Sequence, residues 1–253
     1  KFLAEHGDLP QIGWMKLRWL RWLTERGEWS IFADYYDPAL NFTELDCLYG
    51  QYLFRANLPV EANAQAQKLW LVGKSQPEAC DALFSQWQRS GGLTDELRWQ
   101  RAKLAAEAGQ YGLASSLIRQ LPGLTHKGQL LVEVAQKPQL LKQTGKFVPA
   151  DRQMADVVGL GLRRMARQNP EQAIEWLEFY GNRLPFSSEE KVAIARSIGL
   201  TLAKRFDARA LKVMAQYDPE LRDNTVSEWR TRLLLRLGRW NEAHELTLKL
   251  PQE

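Results

Sequence analysis

The sequence predicts an all-α protein built from antiparallel helix hairpins, expected to wind into a right-handed superhelix of degenerate, tetratricopeptide-like repeats. Three observations predict it. Apolar residues recur every three or four positions along most of the 253-residue chain, the spacing of one helix face. Dense start and stop signals cut those periodic runs into roughly a dozen pieces of about 10–17 residues, joined by short turns. Alternating runs flanked by hairpin turns are nearly absent, so little or no β-structure is expected.

The elements follow in order. Ile12, Met15, Trp19 and Leu23 form the first helical face. Asn41-Phe42-Thr43-Glu44 reads as a helix start capped by Asn. Ser75-Gln76-Pro77-Glu78 has capping-box spacing, with Pro inside the first turn. Leu97, Leu104 and Ala108 mark the next face. Between residues 123 and 151 the periodicity weakens around Gly123, Gly128, Pro138, Gly145 and Pro149, and short helices with a bend or sub-boundary are expected. A strong face returns with Met154, Val157, Val158, Leu162 and Met165. Asn169-Pro170-Glu171 places Pro at the first helical position after an Asn cap. Ser187-Ser188-Glu189-Glu190 repeats the capping-box spacing, and Leu233, Leu234 and Leu237 form the last face. Gly27, Gly73, Gly109, Gly181 and Gly238 are placed at helix ends, where a left-handed backbone is wanted.

One junction recurs. Gly27-Glu28-Trp29, Gly109-Gln110-Tyr111 and Gly238-Arg239-Trp240 each put an aromatic two residues after a Gly. Ala114 and Ala243 follow three residues later in the last two. Here the Gly reverses the chain, the aromatic fills the elbow, and the Ala admits a neighbouring helix. The spacing between junctions is irregular, which makes the array degenerate.

Composition narrows the function classes. Hydrophobic residues make up 45% and charged residues 25%, ordinary for a folded domain rather than a disordered one. The net charge is only +4 and the charges are interspersed, unlike the clustered basic stripe of a duplex-binding face. No nucleic-acid motif is found, and no apolar run approaches the length of a membrane span. His6, His126 and His244 lie far apart and the two cysteines lack CxxC spacing, so no metal and no cofactor are expected. Gly159-Leu160-Gly161 follows no strand and reads as a close-packing contact, not a phosphate loop. No Gly-x-Ser-x-Gly elbow occurs.

A lone Glu can act as a general acid in sugar chemistry. Glu44 and Asp46, Glu175 and Glu178, and Glu189 and Glu190 are therefore noted, and each reads instead as a cap, a helix-dipole partner or a solvated charge. The ten Trp have two uses, stacking on sugar rings or packing between helices. Trp14, Trp19, Trp22, Trp70, Trp87, Trp176 and Trp229 sit inside helical patterns and are expected to pack. Arg18-Trp19 and Arg21-Trp22 are the candidate glycan-contact surface. Cys47 and Cys80 read equally well as buried free thiols or as a pair closing a loop of about 33 residues.

The stretch Leu40-Asn41-Phe42-Thr43-Glu44-Leu45-Asp46-Cys47, followed by Leu69-Trp70-Leu71-Val72-Gly73-Lys74-Ser75-Gln76-Pro77-Glu78-Ala79-Cys80-Asp81-Ala82-Leu83-Phe84, closely resembles the superhelical U-domain of the large soluble lytic murein transglycosylases of Gram-negative bacteria. The similarity continues more diffusely to Leu250. The resemblance implies a ring-shaped U-domain, a Cys47–Cys80 disulfide and a periplasmic location. It implies a parent enzyme that cleaves the β-1,4 bond from N-acetylmuramic acid to N-acetylglucosamine without water, leaving 1,6-anhydro ends. The family's acid/base Glu, usually followed by Ser, and its Gly-Leu-Met-Gln motif have no counterpart in this sequence, so no catalytic residue is carried over. Residues 1–253 are expected to be one U-domain fragment without the lysozyme-like catalytic domain. The opening Lys1-Phe2-Leu3 shows no Met and no leader, and both ends read as internal boundaries. The expected partners are the catalytic and linker domains of the parent chain and peptidoglycan strands. The alternative is a free-standing tetratricopeptide-like adaptor for protein partners.

Overall fold

The computed structural model describes residues 12–250, and every regular element among them is helical. His6 and the terminal residues Lys1-Phe2-Leu3 and Pro251-Gln252-Glu253 lie outside the described residues. The chain divides into two compact units, Lys1–Leu121 and Pro122–Glu253.

The first unit holds α1 (Ile12–Glu25), α2 (Trp29–Tyr35), α3 (Thr43–Arg55), α4 (Pro59–Trp70), α5 (Ala79–Arg89), α6 (Asp95–Glu107) and α7 (Tyr111–Ile118). Sequential helices pair, α1 with α2, α3 with α4 and α6 with α7, while α5 packs on both α3 and α4. In α1 the buried face is Leu17, Leu20 and Leu23, which meet Phe32 and Leu45. The expected face was rotated away from this one: Leu23 belongs to both, but Met15 is exposed.

The second unit holds a 3₁₀ turn (Pro122–Leu124), α8 (Thr125–Gln136), two further 3₁₀ turns, α9 (Arg152–Gln168), α10 (Pro170–Gly181) and α11 (Ser188–Ile194). A π turn, Ala195–Gly199, leads into α12 (Leu200–Ala203), followed by α13 (Arg209–Tyr217), α14 (Asn224–Arg236) and α15 (Trp240–Leu248). The 17-residue α9 forms the core of this unit, with Met154, Val157, Val158, Leu160, Leu162 and Met165 all buried. It packs on α8, α10 and the π turn. The Tyr180 hydroxyl of α10 donates to the Leu141 carbonyl at 2.7 Å, and its burial pushes the phenol up to about 12.

The recurring junction is real and has one more copy than the sequence shows. Gly27, Gly109 and Gly238 have φ of 79°, 78° and 71°. In each, the next N–H reaches back to a carbonyl five residues earlier: Glu28 to Leu23 at 2.9 Å, Gln110 to Ala105 at 2.8 Å, Arg239 to Leu234 at 2.9 Å. This is the Schellman turn. The next helix starts two residues after the Gly, and the residue three further on, Phe32, Ala114 or Ala243, is buried. Asn57-Leu58-Pro59 repeats the pattern with φ 58° at Asn57, a Leu58 N–H to Leu53 carbonyl bond of 3.0 Å, and buried Ala62. The elbow aromatic is not a uniform filler, since Trp240 is 65% exposed.

Three local expectations are corrected. Asn41 does not cap α3; with φ 54° it closes the preceding 3₁₀ turn. Ser75 does not cap a helix, because α5 starts at Ala79 without a side-chain cap. Gly73 and Gly181 take no left-handed backbone. They are there for close approach: a Cβ on Gly73 would stand 2.5 Å from the Leu104 carbonyl, and one on Gly181 would collide with the Tyr217 hydroxyl.

Candidate functional site

The specific run from Trp70 to Phe84 is a tertiary knot in the first unit. Trp70 ends α4 and packs edge-on against Phe84 at 5.0 Å and Trp87 at 6.1 Å. Its indole N–H donates to the Leu97 carbonyl of α6 at 3.1 Å. Arg101, one turn further along α6, lays its guanidinium over Trp70, 4.1 Å from the ring centroid, and 5.4 Å from that of Phe84. It also donates to the Lys74 carbonyl at 3.4 Å. Arg101 is 5% exposed, and burial pulls its pKa down to about 10 against a smaller opposing effect of Asp81. Gln51 from α3 donates to the Ala79 carbonyl at 2.8 Å, and Gln76 donates back to Leu69. Residues 71–78 therefore stay a loop because side chains of α3, α6 and the loop itself hold their neighbourhood in place, and this is why the capping box at Ser75 goes unused.

Cys47 of α3 and Cys80 of α5 form a disulfide, with 4.9 Å between their Cα atoms. Of the two readings the residues alone left open, the structure takes the pair. Closing 33 residues constrains the unfolded chain by about 3–4 kcal/mol in the chain-entropy account.

The four glycan-contact candidates all lie on α1 but face different ways. Trp19 is half-buried, meets Tyr35 edge-on at 5.0 Å and packs on the Leu17–Leu45 core. Arg18 is exposed. Arg21 forms an ion pair with Glu44 at 2.9 Å. Trp22 is 48% exposed, with the Arg26 guanidinium 4.9 Å over its ring. Trp14, expected to pack, is 63% exposed and touches Phe42 at 5.2 Å. Trp14, Arg18, Trp22 and Arg26 are spaced by four, so they make one exposed aromatic and basic stripe. Beside it, Arg21, Glu44, Leu48 and Pro77 line an open cleft of about 440 Å³. Of the other Trp, Trp70 and Trp87 are buried, whereas Trp176 and Trp229 are partly buried.

The noted carboxylates are all accounted for by structural partners or solvent. Asp46 accepts from the Tyr36 hydroxyl at 2.6 Å, and burial together with this bond raises the Tyr36 pKa. Glu178 pairs with Lys212 at 3.1 Å, and Glu175 is exposed. Ser187 caps α11, its hydroxyl accepting from the Glu190 N–H at 3.2 Å. Hydrogen bonds to its own backbone and Ser187 hold Glu189 below the usual carboxylate range. Glu190 breaks the expectation of a solvated or capping charge: it forms a buried ion pair with Arg163 of α9, the two side chains 8% and 11% exposed. Gly159, one turn before Arg163, makes the room, since a Cβ there would collide with the Glu190 carboxylate. Gly161 packs as closely on Val134. Helix entry in this unit also uses Asp151, whose carboxylate accepts from Met154 N–H at 3.0 Å and pairs with Lys127. Asp223 does the same with Val226 N–H at 3.1 Å and Arg196. Burial alone raises both carboxyls, but these bonds outweigh it and hold both below their ordinary value of 3.8. No group of three His, Cys, Asp or Glu with metal-site geometry occurs among the described residues. No helix among them is long and apolar enough to cross a membrane.

The chain is similar to soluble lytic murein transglycosylases. It is 28% identical to that of Escherichia coli K12 over 173 residues, covering 68% of this chain and 27% of the relative. It is 26% identical to that of Salmonella typhimurium LT2 over 259 residues, covering 100% of this chain and 40% of the relative. Among solved structures, an inactive mutant of lytic transglycosylase Slt from Pseudomonas aeruginosa aligns with a TM-score of 0.92 and 66% identity, over 99% of this chain and 41% of that one. The 70 kDa soluble lytic transglycosylase of Escherichia coli aligns with a TM-score of 0.63 at 23% identity over the same shares, a likeness of fold. The chain thus spans about two fifths or less of the length of these relatives. A family model described as Cucumovirus coat protein matches residues 50–142. That match takes in well under half of the chain, whereas the Pseudomonas structure accounts for the helices along nearly all of it.

Proposed function

We infer that this chain, homologous along its whole length to soluble lytic murein transglycosylases, is a helical scaffold within a peptidoglycan-cleaving enzyme of that kind. The observation that carries the reading is the Pseudomonas alignment, 66% identical over 99% of this chain but only 41% of that one. A segment so similar in sequence and fold has the same place in a longer molecule, and the rest of that molecule supplies the chemistry. The parent enzyme breaks the N-acetylmuramic acid to N-acetylglucosamine bond through one carboxylic acid. That acid protonates the leaving oxygen, then takes the proton of the attacking 6-hydroxyl and leaves a 1,6-anhydro end. The scaffold works in the periplasm, where its disulfide persists. Its partners are the catalytic and linker domains and the murein strand itself.

The strand meets the scaffold on α1. Trp14 and Trp22 present the faces that stack on pyranose rings, and Arg18 and Arg21 supply charge for the free carboxylates of the peptides carried by the glycan. The test uses purified sacculi. The chain alone is expected to co-sediment with them and to release no anhydro-muropeptides, and Trp14→Ala with Trp22→Ala is expected to weaken co-sedimentation several-fold. Anhydro product released by the chain alone, and abolished by a single Glu→Gln change, overturns the scaffold reading.

A further inference from the structure

A cleft of about 510 Å³ opens in the second unit between α13, α14 and α15, distant in sequence from the α1 stripe. That volume suits a small ligand. Its apolar lining includes Leu211 and Ala215 of α13, Leu234 of α14 and Leu246 of α15. Arg230 of α14 also lines it and is half-buried there. Among the described residues Arg230 has no hydrogen-bond or ion-pair partner. Asp218, whose charge acts on Arg230, is already engaged: it is buried and accepts from the N–H groups of Arg222 at 2.9 Å and Asp223 at 3.1 Å. The neighbouring Arg239 is satisfied by Glu242 at 2.6 Å. Burial pulls Arg230 below its ordinary value, with Asp218 and Glu242 only partly offsetting it. A partly desolvated guanidinium without an acceptor is the half of a charge-assisted fork that a carboxylate completes. Lys212, Arg239 and Lys249 line the cleft beside Glu242 and Glu245, with Lys212 and Arg239 paired to Glu178 and Glu242, so the lining favours an anion, and its apolar part favours one that carries methyl groups over bare phosphate.

We propose that the α13–α15 cleft binds the free carboxylate end of a short, alanine-rich peptide, with Arg230 as the counter-ion and Leu211, Leu234 and Leu246 against its methyl groups. Murein stem peptides have this chemistry, and naming them as the natural source rests on the proposed function, whereas the cleft itself does not.

The test titrates D-alanyl-D-alanine, its C-terminal amide and inorganic phosphate against the full chain by amide NMR. The acid is expected to give saturable shifts confined to α13–α15 at millimolar peptide. The amide and phosphate are expected to bind at least about tenfold more weakly. Arg230→Gln should lose at least about tenfold in affinity, and Arg230→Lys should recover part of it. Equal binding of acid and amide by the unaltered chain, tighter binding of phosphate, or no saturable shift overturns the proposal. So does an Arg230→Gln chain that keeps its spectrum and its affinity. Failure here with intact sacculus co-sedimentation sinks the cleft and leaves the scaffold reading standing.

Discussion

The two units build the same helix hairpin with different chemistry. The first carries seven of the ten Trp, with Trp70 and Trp87 buried between its helices, and closes a disulfide. The second starts four of its helices with side-chain caps, from Asp151, Asn169, Ser187 and Asp223, and buries the Arg163–Glu190 pair. The Asp151 and Asp223 caps and the Arg163–Glu190 pair depend on carboxylates, whereas aromatic packing and a sulfur bond do not. Sensitivity to reductant therefore resides in one unit and sensitivity to acid in the other.

The largest effect is expected from Glu190→Ala. Leaving Arg163 buried without its counter-charge costs about 3–5 kcal/mol. Hydrogen exchange should accelerate in α9–α12, with the amides of α3–α6 unchanged; a uniform acceleration breaks the contrast. Next comes Cys47→Ser, which should cost the oxidised protein about 3–4 kcal/mol. Reductant should lower the melting temperature of the unaltered protein and do little more to the variant. If reductant leaves the unaltered protein as stable as before, the staple contributes nothing.

Asp223→Ala should cost about 1 kcal/mol as a lost cap. It also sharpens the acid contrast. The folded-state pKa values of Asp223 and Asp151 lie below the ordinary 3.8, so their contribution is whole above that value and is lost as pH falls through the lower folded values. Denaturant titrations below about pH 4 should show the second unit weakening before the first, and less steeply in Asp223→Ala. The smallest effect is expected from Asn57→Gly, neutral or stabilising by a few tenths of a kcal/mol, against a loss of about 1 kcal/mol or more for Asn57→Ala. Equal stability of the two variants would remove Asn57 from the set of turns.

What could be read from the sequence follows the range of each interaction. The Gly27, Gly109 and Gly238 turns are local, so three adjacent residues announce them. The Asn57 turn uses the same backbone, but Asn and Pro stand where Gly and an aromatic stand elsewhere, and the motif passes unseen. Ser187 and Ser75 look alike as letters. Only Ser187 caps, because Ser75 lies in a stretch held by Gln51, Gln76 and Arg101, the first and last of them far away in sequence. Glu190 occupies a capping-box position and is diverted to Arg163, 27 residues back, through a gap that only Gly159 leaves. On α1, periodicity predicts the helix but rotates its buried face, so Met15 stands on the expected face and is exposed, and Trp14, expected to pack, is exposed too.

The sulfur link between α3 and α5 has one more result. It spans residues 74–78, a loop exposed at every position but Gln76, and exposed loops are where endopeptidases nick a chain. A chain clipped there keeps its two pieces tethered and parts only when the bond is reduced.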